Sequence, residues 1–149
     1  MKRLPLLFLL LTPIVLNSQW KFNSVVDPFD GERLTAVATG YGGEFPYRTP
    51  VLIIRKQKNI LDIYVSDAGY TGCDDLFVEF SFGDPNEVIS FKASPSKGND
   101  SAFINYSTYD KSVYKVIELI EKLKSNSIVY VKSSSDCGQN RFKIGLRGS

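Results

Sequence analysis

The residue types available for chemistry are limited, because the chain of 149 residues contains two cysteines and no histidine. Without an imidazole, serine and cysteine triads that use a histidine base are excluded, and the commonest zinc ligand is missing. Lysine and arginine number 18, and aspartate and glutamate number 16. Because nucleic-acid binding depends on clustered cations that neutralise phosphates, this near balance argues against a nucleic-acid partner.

Cys73 and Cys137 are the two thiols of the chain. An even pair in an oxidising compartment is most simply explained by one disulfide. A redox pair and a metal site are the alternatives, but the sequence has neither a Cys-x-x-Cys spacing nor a histidine ligand. The sequence therefore predicts a structural disulfide between Cys73 and Cys137, and no cofactor.

The main candidate for a binding surface is the segment Tyr41–Arg48, which is rich in glycine and aromatic residues and is predicted to be irregular together with Gly40. Its glycines and Pro46 argue against regular structure, and aromatic side chains on a loop offer a large contact area at a low conformational cost. Tyr70, in a later loop, would join this surface if the loops cluster at one end of the fold. The alternative is that Phe45 and Tyr47 pack into the core. The predicted binding residues are Tyr41, Glu44, Phe45, Tyr47, Arg48 and Tyr70.

The loop that contains Tyr70 is also acidic, which suggests a weak candidate for a calcium site. Asp67, Asp74 and Asp75 flank residues 68–73, and calcium binds several oxygen ligands on a flexible backbone. The spacing does not match an EF-hand loop. A solvated loop held by the disulfide is the favoured alternative, so no metal is expected.

The elements that must position these residues are mostly strands, because apolar residues alternate along short segments bounded by turn residues. The segment 133–140 is polar and is predicted to be a loop. Val51–Ile54 is apolar throughout, which is typical of a strand covered on both faces. The predicted strands are Trp20–Val25, Leu34–Thr39, Val51–Ile54, Ile60–Ser66, Leu76–Phe82, Val88–Ala93, Ala102–Tyr106, Ile128–Lys132 and Arg141–Leu146.

One helix is predicted from Lys111, where the apolar period changes. Apolar residues recur three and four positions apart from Val113 to Leu123, which is typical of an amphipathic helix. Asp110 is its predicted N-cap. The sequence thus predicts a mainly β fold with one helix (α+β), built as an antiparallel sandwich or a partly open barrel with the helix across one end.

The first 18 residues have the pattern of a secretory signal peptide. A short cationic start precedes an apolar run over residues 4–16 that contains Pro13. This run is short for a bilayer span, so an N-terminal membrane anchor is the less favoured alternative. Cleavage after Ser18 would leave one β-rich domain, residues 19–149, in the periplasm or the medium, with no later segment apolar enough to cross a membrane.

The order of these features resembles that of the exported accessory proteins associated with bacterial type VI secretion. The matching features are Trp20, the Asp27-Pro28 turn with Asp30, the strand Val51–Arg55, the late helix and the strand Arg141–Leu146. The chain departs from the family pattern at Lys56, where that family has its first cysteine, and the acidic and glycine-aromatic loops have no counterpart. The resemblance implies a periplasmic, non-enzymatic role beside an envelope machine.

These features favour an exported, non-enzymatic binding domain whose partner is a protein or another component of the bacterial cell envelope. Its role would lie beside a secretion machine, or in inhibition of a secreted hydrolase, a task that suits a small rigid domain. A small envelope hydrolase is the alternative, because two suitably spaced carboxylates suffice for glycoside hydrolysis. The 16 acidic residues do not single out such a pair.

Overall fold

The computed structural model describes residues 19–147, which form nine β-strands and one α-helix. The predicted signal peptide, residues 1–18, lies outside the described residues. All strand pairs are antiparallel. The elements are β1 (Trp20–Asp27), β2 (Gly31–Tyr41), β3 (Val51–Gln57), β4 (Ile60–Ser66), β5 (Phe77–Ser81), β6 (Val88–Pro95), β7 (Ser101–Ile104), α1 (Ser112–Ser125), β8 (Ile128–Ser135) and β9 (Gly138–Gly145).

Eight of these strands close into an antiparallel barrel. The sheet runs from β2 through β3, β4, β7, β6, β5 and β8 to β9, and β9 pairs back with the end of β2 through Gly40–Ile144 and Tyr41–Lys143. β1 adds a further strand beside the first part of β2. The predicted mainly β fold with one helix is confirmed, and the barrel is closed rather than a sandwich or partly open.

The closure of the barrel depends on the lack of a side chain at Gly40, a residue that the sequence assigned to an irregular segment. Gly40 is buried, and its N–H donates a hydrogen bond of 2.6 Å to the Pro50 carbonyl. A Cβ atom at this position would lie 2.9 Å from Cδ2 of Phe142 and 3.1 Å from the Pro50 oxygen. Only glycine therefore allows β2 to approach β9 this closely.

The core fills the barrel, because alternate residues of each strand point inward. α1 contributes Val116, Leu119 and Leu123, all buried. The outer face of the barrel is partly exposed, so Leu52 is the one fully buried residue among the four of Val51–Ile54, and the expectation of a strand covered on both faces is wrong. Large, fully buried side chains of the core are Phe80, Leu52, Ile63, Leu119, Ile144 and Leu146.

The polar segment 133–140, predicted to be a loop, is mostly strand. β8 continues to Ser135 and β9 begins at Gly138, so the turn consists of Asp136 and Cys137. The prediction followed the apolar alternation, which ends before this hairpin does. Strand pairing uses backbone groups, and a two-stranded ladder can therefore continue through serines once the neighbouring residues have fixed its register.

The start of α1 differs from the prediction by one residue. The N-cap position is Lys111, which forms no side-chain cap hydrogen bond. Asp110 lies one residue before the N-cap, and its Oδ1 accepts a hydrogen bond of 2.7 Å from the backbone N–H of Ser112. The Ser112 hydroxyl, and then this backbone N–H, lower the pKa of the Asp110 carboxyl.

Gly40→Ala is expected to destabilise the protein by about 1–3 kcal/mol, the usual cost of overpacking, because the added methyl group would press on Phe142 and the Pro50 carbonyl. Urea unfolding followed by circular dichroism measures the free energy of unfolding. Gly98→Ala is the matched control, since its methyl group would meet Asp100 at an ordinary 3.6 Å. Equal unfolding midpoints for the two variants would contradict the role given to Gly40.

Candidate functional site

The Cys73–Cys137 disulfide joins the loop after β4 to the β8–β9 turn. The two Cα atoms lie 6.0 Å apart, and the predicted pairing is confirmed. Next to the bridge, the Asp136 N–H donates a hydrogen bond of 3.1 Å to the Asp74 carbonyl. Two segments that are 64 residues apart in the sequence are therefore held together by a covalent and a backbone link.

A cleft of about 430 Å³ lies beside this bridge, and we refer to it as the disulfide-end cleft. Three segments form its walls: the loop after β2, the loop after β4 and the β8–β9 hairpin. The two loops therefore meet the condition under which Tyr70 was expected to join the binding surface. Residues that line the cleft include Glu44, Phe45, Tyr47, Tyr70, Cys137 and Asn140.

The aromatic residues of the cleft are largely open to solvent. Phe45 is 78% exposed and Tyr70 is 53% exposed, whereas Tyr47 is half-buried. Phe45 therefore does not pack into the core. Arg48 does not line the cleft, but its guanidinium carbon lies 5.4 Å from the centre of the Phe45 ring, a cation–π distance. Phe45 and Tyr70 thus offer ring faces at the rim.

Tyr41, the remaining predicted binding residue, lies away from the cleft. It ends β2 and lines a separate groove of about 780 Å³ over the outer faces of β5, β8 and β9. Lys143 places its Nζ 4.9 Å from the centre of the Tyr41 ring, and Tyr130 lies in the same groove. Sequence patterns placed Tyr41 and Phe45 in one surface, because they do not show that Tyr41 pairs with Lys143 of β9.

Asn140 anchors the first loop of the cleft, and sequence reasoning did not single it out. It is 4% exposed. Its Oδ1 accepts the Glu44 N–H at 2.9 Å, and its Nδ2 donates to the Tyr47 carbonyl at 3.3 Å. A Cβ atom at Gly43 would collide with that same carbonyl. Because Asn140 was assigned to a loop, no periodic pattern marked it as buried.

The second loop of the cleft rests on the β6–β7 connection. Thr71, buried next to Tyr70, donates its backbone N–H to the Asn99 carbonyl at 3.2 Å. Its hydroxyl donates to the Ser101 carbonyl at 3.3 Å. Tyr70 therefore projects from a loop that is fixed, just after Tyr70 in the chain, by Thr71 and by the disulfide.

The three candidate calcium ligands are not brought together. Within residues 19–147, no group of three or more cysteine, aspartate or glutamate side chains is placed to hold a metal ion, and this includes Asp67, Asp74 and Asp75. Among the described residues that line the cleft, Glu44 is the one carboxylate. The cleft therefore lacks the carboxylate pair on which glycoside hydrolysis depends.

The groups that line the cleft can make non-covalent contacts. Its rim carries two aromatic rings, and serine hydroxyls of the β8 end and the Glu44 carboxylate can make hydrogen bonds. Large rigid aromatic side chains of this kind are enriched where proteins bind each other.

No protein-family model, curated protein or solved structure matches this chain. Within residues 19–147, α1 lacks the length and the apolar character that a membrane-spanning helix requires.

Reduction of the disulfide is expected to lower the free energy of unfolding by about 2–5 kcal/mol, because the bridge restricts the unfolded chain over a separation of 64 residues. Urea unfolding with and without a reductant measures this. The double variant Cys73→Ser/Cys137→Ser is the control, and its midpoint should not respond to the reductant. A wild-type midpoint that is equally insensitive would show that the bridge does not contribute to stability.

Asn140→Ala is expected to loosen the loop around Glu44. Loss of the hydrogen bond to the Glu44 N–H should speed hydrogen exchange of that amide about fivefold or more, in line with a net value of about 1 kcal/mol per hydrogen bond. Exchange measured by mass spectrometry or NMR tests this. Gln139→Ala, an exposed neighbour on the same strand, is the control. Equal exchange in the two variants would show that Asn140 does not hold the loop.

Proposed function

We propose that this protein is an exported, non-enzymatic binding domain that captures a protein partner at the bacterial cell envelope through the disulfide-end cleft. The observation that carries the proposal is the placement of Phe45 and Tyr70. They come from loops far apart in the sequence, line one cleft, and are 78% and 53% exposed. Both loops are anchored, so little conformational entropy is lost when the rings are covered.

The chemistry of the rim indicates what the partner would offer. Phe45 would enter an apolar pocket of the partner, and Arg48, within cation–π distance of its ring, would meet an acidic or carbonyl group at the edge of that pocket. Glu44 and the serines of the β8 end would form the polar contacts around it. This arrangement of a central aromatic anchor and a polar surround is typical of protein interfaces.

The compartment and the biological setting are part of the proposal. A disulfide that bridges two loops favours an oxidising environment, which agrees with the predicted signal peptide of residues 1–18. The resemblance to accessory proteins of type VI secretion favours a role beside a secretion machine. Inhibition of a secreted hydrolase is the other form of the same binding function, in which the Phe45 loop would enter the enzyme's cleft.

Replacement of the two exposed rings, in the variant Phe45→Ala/Tyr70→Ala, is expected to reduce capture of the partner from an envelope extract about thirtyfold or more. Truncation of one interface hot spot commonly costs about 2 kcal/mol, which corresponds to that factor. The melting temperature should change by no more than about 2 °C, because exposed side chains contribute little to stability. Quantitative mass spectrometry of the captured proteins measures the loss.

The matched control is Phe29→Ala/Tyr109→Ala, which removes the same two ring types at sites that are 92% and 97% exposed and outside the cleft. This control should keep wild-type capture. Equal capture by both double variants would remove the cleft from the proposal. Release of soluble fragments from an envelope polymer by the purified protein would contradict the non-enzymatic role and favour the hydrolase.

A further inference from the structure

We propose that the outer edge of β1 is a self-association surface, on which β1 of a second copy of this chain pairs antiparallel about a two-fold axis. This surface lies apart from the disulfide-end cleft. Three features of β1 support the proposal: its edge from Lys21 to Asp27, its exposed apolar side chains and the charges along the strand.

From Lys21 to Asp27 the outer edge of β1 is open among residues 19–147. β1 pairs with β2 over all eight of its residues, and within residues 19–147 no strand pairs with its other side. Unpaired N–H and C=O groups along such an edge form a template for another strand. Many natural edge strands are protected by bulges, prolines, short length or charged side chains such as lysine. β1 is long and contains no proline, and Lys21 is its one lysine.

One face of β1 carries apolar side chains that are exposed among residues 19–147, with Ser24 between them. Phe22 is 69% exposed and Val26 is 74% exposed, on the same face as the buried Trp20. The Phe22 ring stacks against that of Trp20, with 6.5 Å between the centres. Leu34, opposite Ser24 on β2, is 45% exposed and widens the strip. The face that forms the core inside the barrel thus continues beyond the barrel as an exposed apolar surface.

The sequence of β1 is complementary to itself in one register. When Ser24 lies opposite Ser24 of the second copy, Phe22 faces Val26 on the apolar side. On the other side Lys21 faces Asp27. The two-fold axis repeats each of these pairs, so the dimer gains two apolar pairs and two ion pairs. Cross-strand pairs of both kinds stabilise antiparallel sheets.

The neighbouring registers lack this match. Centred on Asn23, the pairing would place Lys21 opposite Val25. Centred on Val25, it would place Asn23 opposite Asp27. Since opposite charges meet in the Ser24 register and in neither of these, the charge pattern selects a second copy aligned on Ser24.

The Asp27 carboxylate is held in a fixed position by backbone hydrogen bonds, which suits it to such an ion pair. Its Oδ1 accepts the backbone N–H groups of Phe29 and Asp30, at 2.8 and 2.9 Å. The N–H of Asp30, and then that of Phe29, lower the pKa of the Asp27 carboxyl. Both hydrogen bonds fall on one oxygen, which leaves Oδ2 for the Lys21 ammonium of the second copy.

The test is sedimentation equilibrium of the purified protein across a dilution series. The wild type is expected to form a dimer, and Lys21→Glu should raise its dissociation constant about tenfold or more, because two attractive pairs become two repulsive ones. Lys97→Glu makes the same change of charge at an exposed loop residue and should dimerise like the wild type. Circular dichroism confirms that each variant is folded.

The register is tested by disulfide trapping. Ser24→Cys places two thiols opposite each other at the axis, with Cα atoms about 4.5–5.5 Å apart, which suits a disulfide. Asn23→Cys, one residue away, should cross-link much less. A wild type that is monomeric throughout the series would overturn the proposal. A dimer that ignores Lys21→Glu and does not cross-link at Ser24 would place the interface elsewhere and would equally overturn it.

Discussion

One edge of β2 pairs with two different strands along its length, and this constraint determines both the closure of the barrel and the position of the disulfide-end cleft. β1 pairs with residues 31–38 of that strand, and β9 takes over at Gly40 and Tyr41. Because β9 occupies the edge from Gly40 onward, β1 cannot continue around the barrel. Within residues 19–147, no strand pairs with the other side of β1 from Lys21 to Asp27. The same junction brings the chain after Tyr41 next to β9, where Asn140 holds the following loop.

The two loops of the cleft are fixed by different physical means, and the difference matters for binding. The loop of Phe45 is held by an amide side chain with both of its polar ends bonded to backbone. The loop of Tyr70 is held by a covalent bridge and by Thr71. Neither anchor uses the exposed rings themselves, so Phe45 and Tyr70 can meet a partner without disturbing what positions them. Preorganisation of this kind reduces the entropic cost of association.

Local patterns predicted those parts of the fold in which apolar alternation and strand pairing agree. Segments such as Ile60–Ser66 are observed as predicted, and the cysteine count alone indicated the bridge. The closure at Gly40 and the serine-rich hairpin of β8 and β9 were missed. Both depend on which strand lies alongside, a long-range property that no local period records. Asn140 was missed for the same reason, since its burial follows from that hairpin.

The exposed apolar side chains of the protein are not explained by the stability of a single folded chain. Complete burial of a side chain such as phenylalanine or valine contributes about 1.5–3 kcal/mol. Phe45, Phe22 and Val26 are 69–78% exposed, so folding gains only a small part of that free energy from each. All three lie on backbone that is held by other residues, in an anchored loop or a paired strand. Association at the cleft with the proposed partner, and at β1 with the proposed second copy, would bury these side chains further.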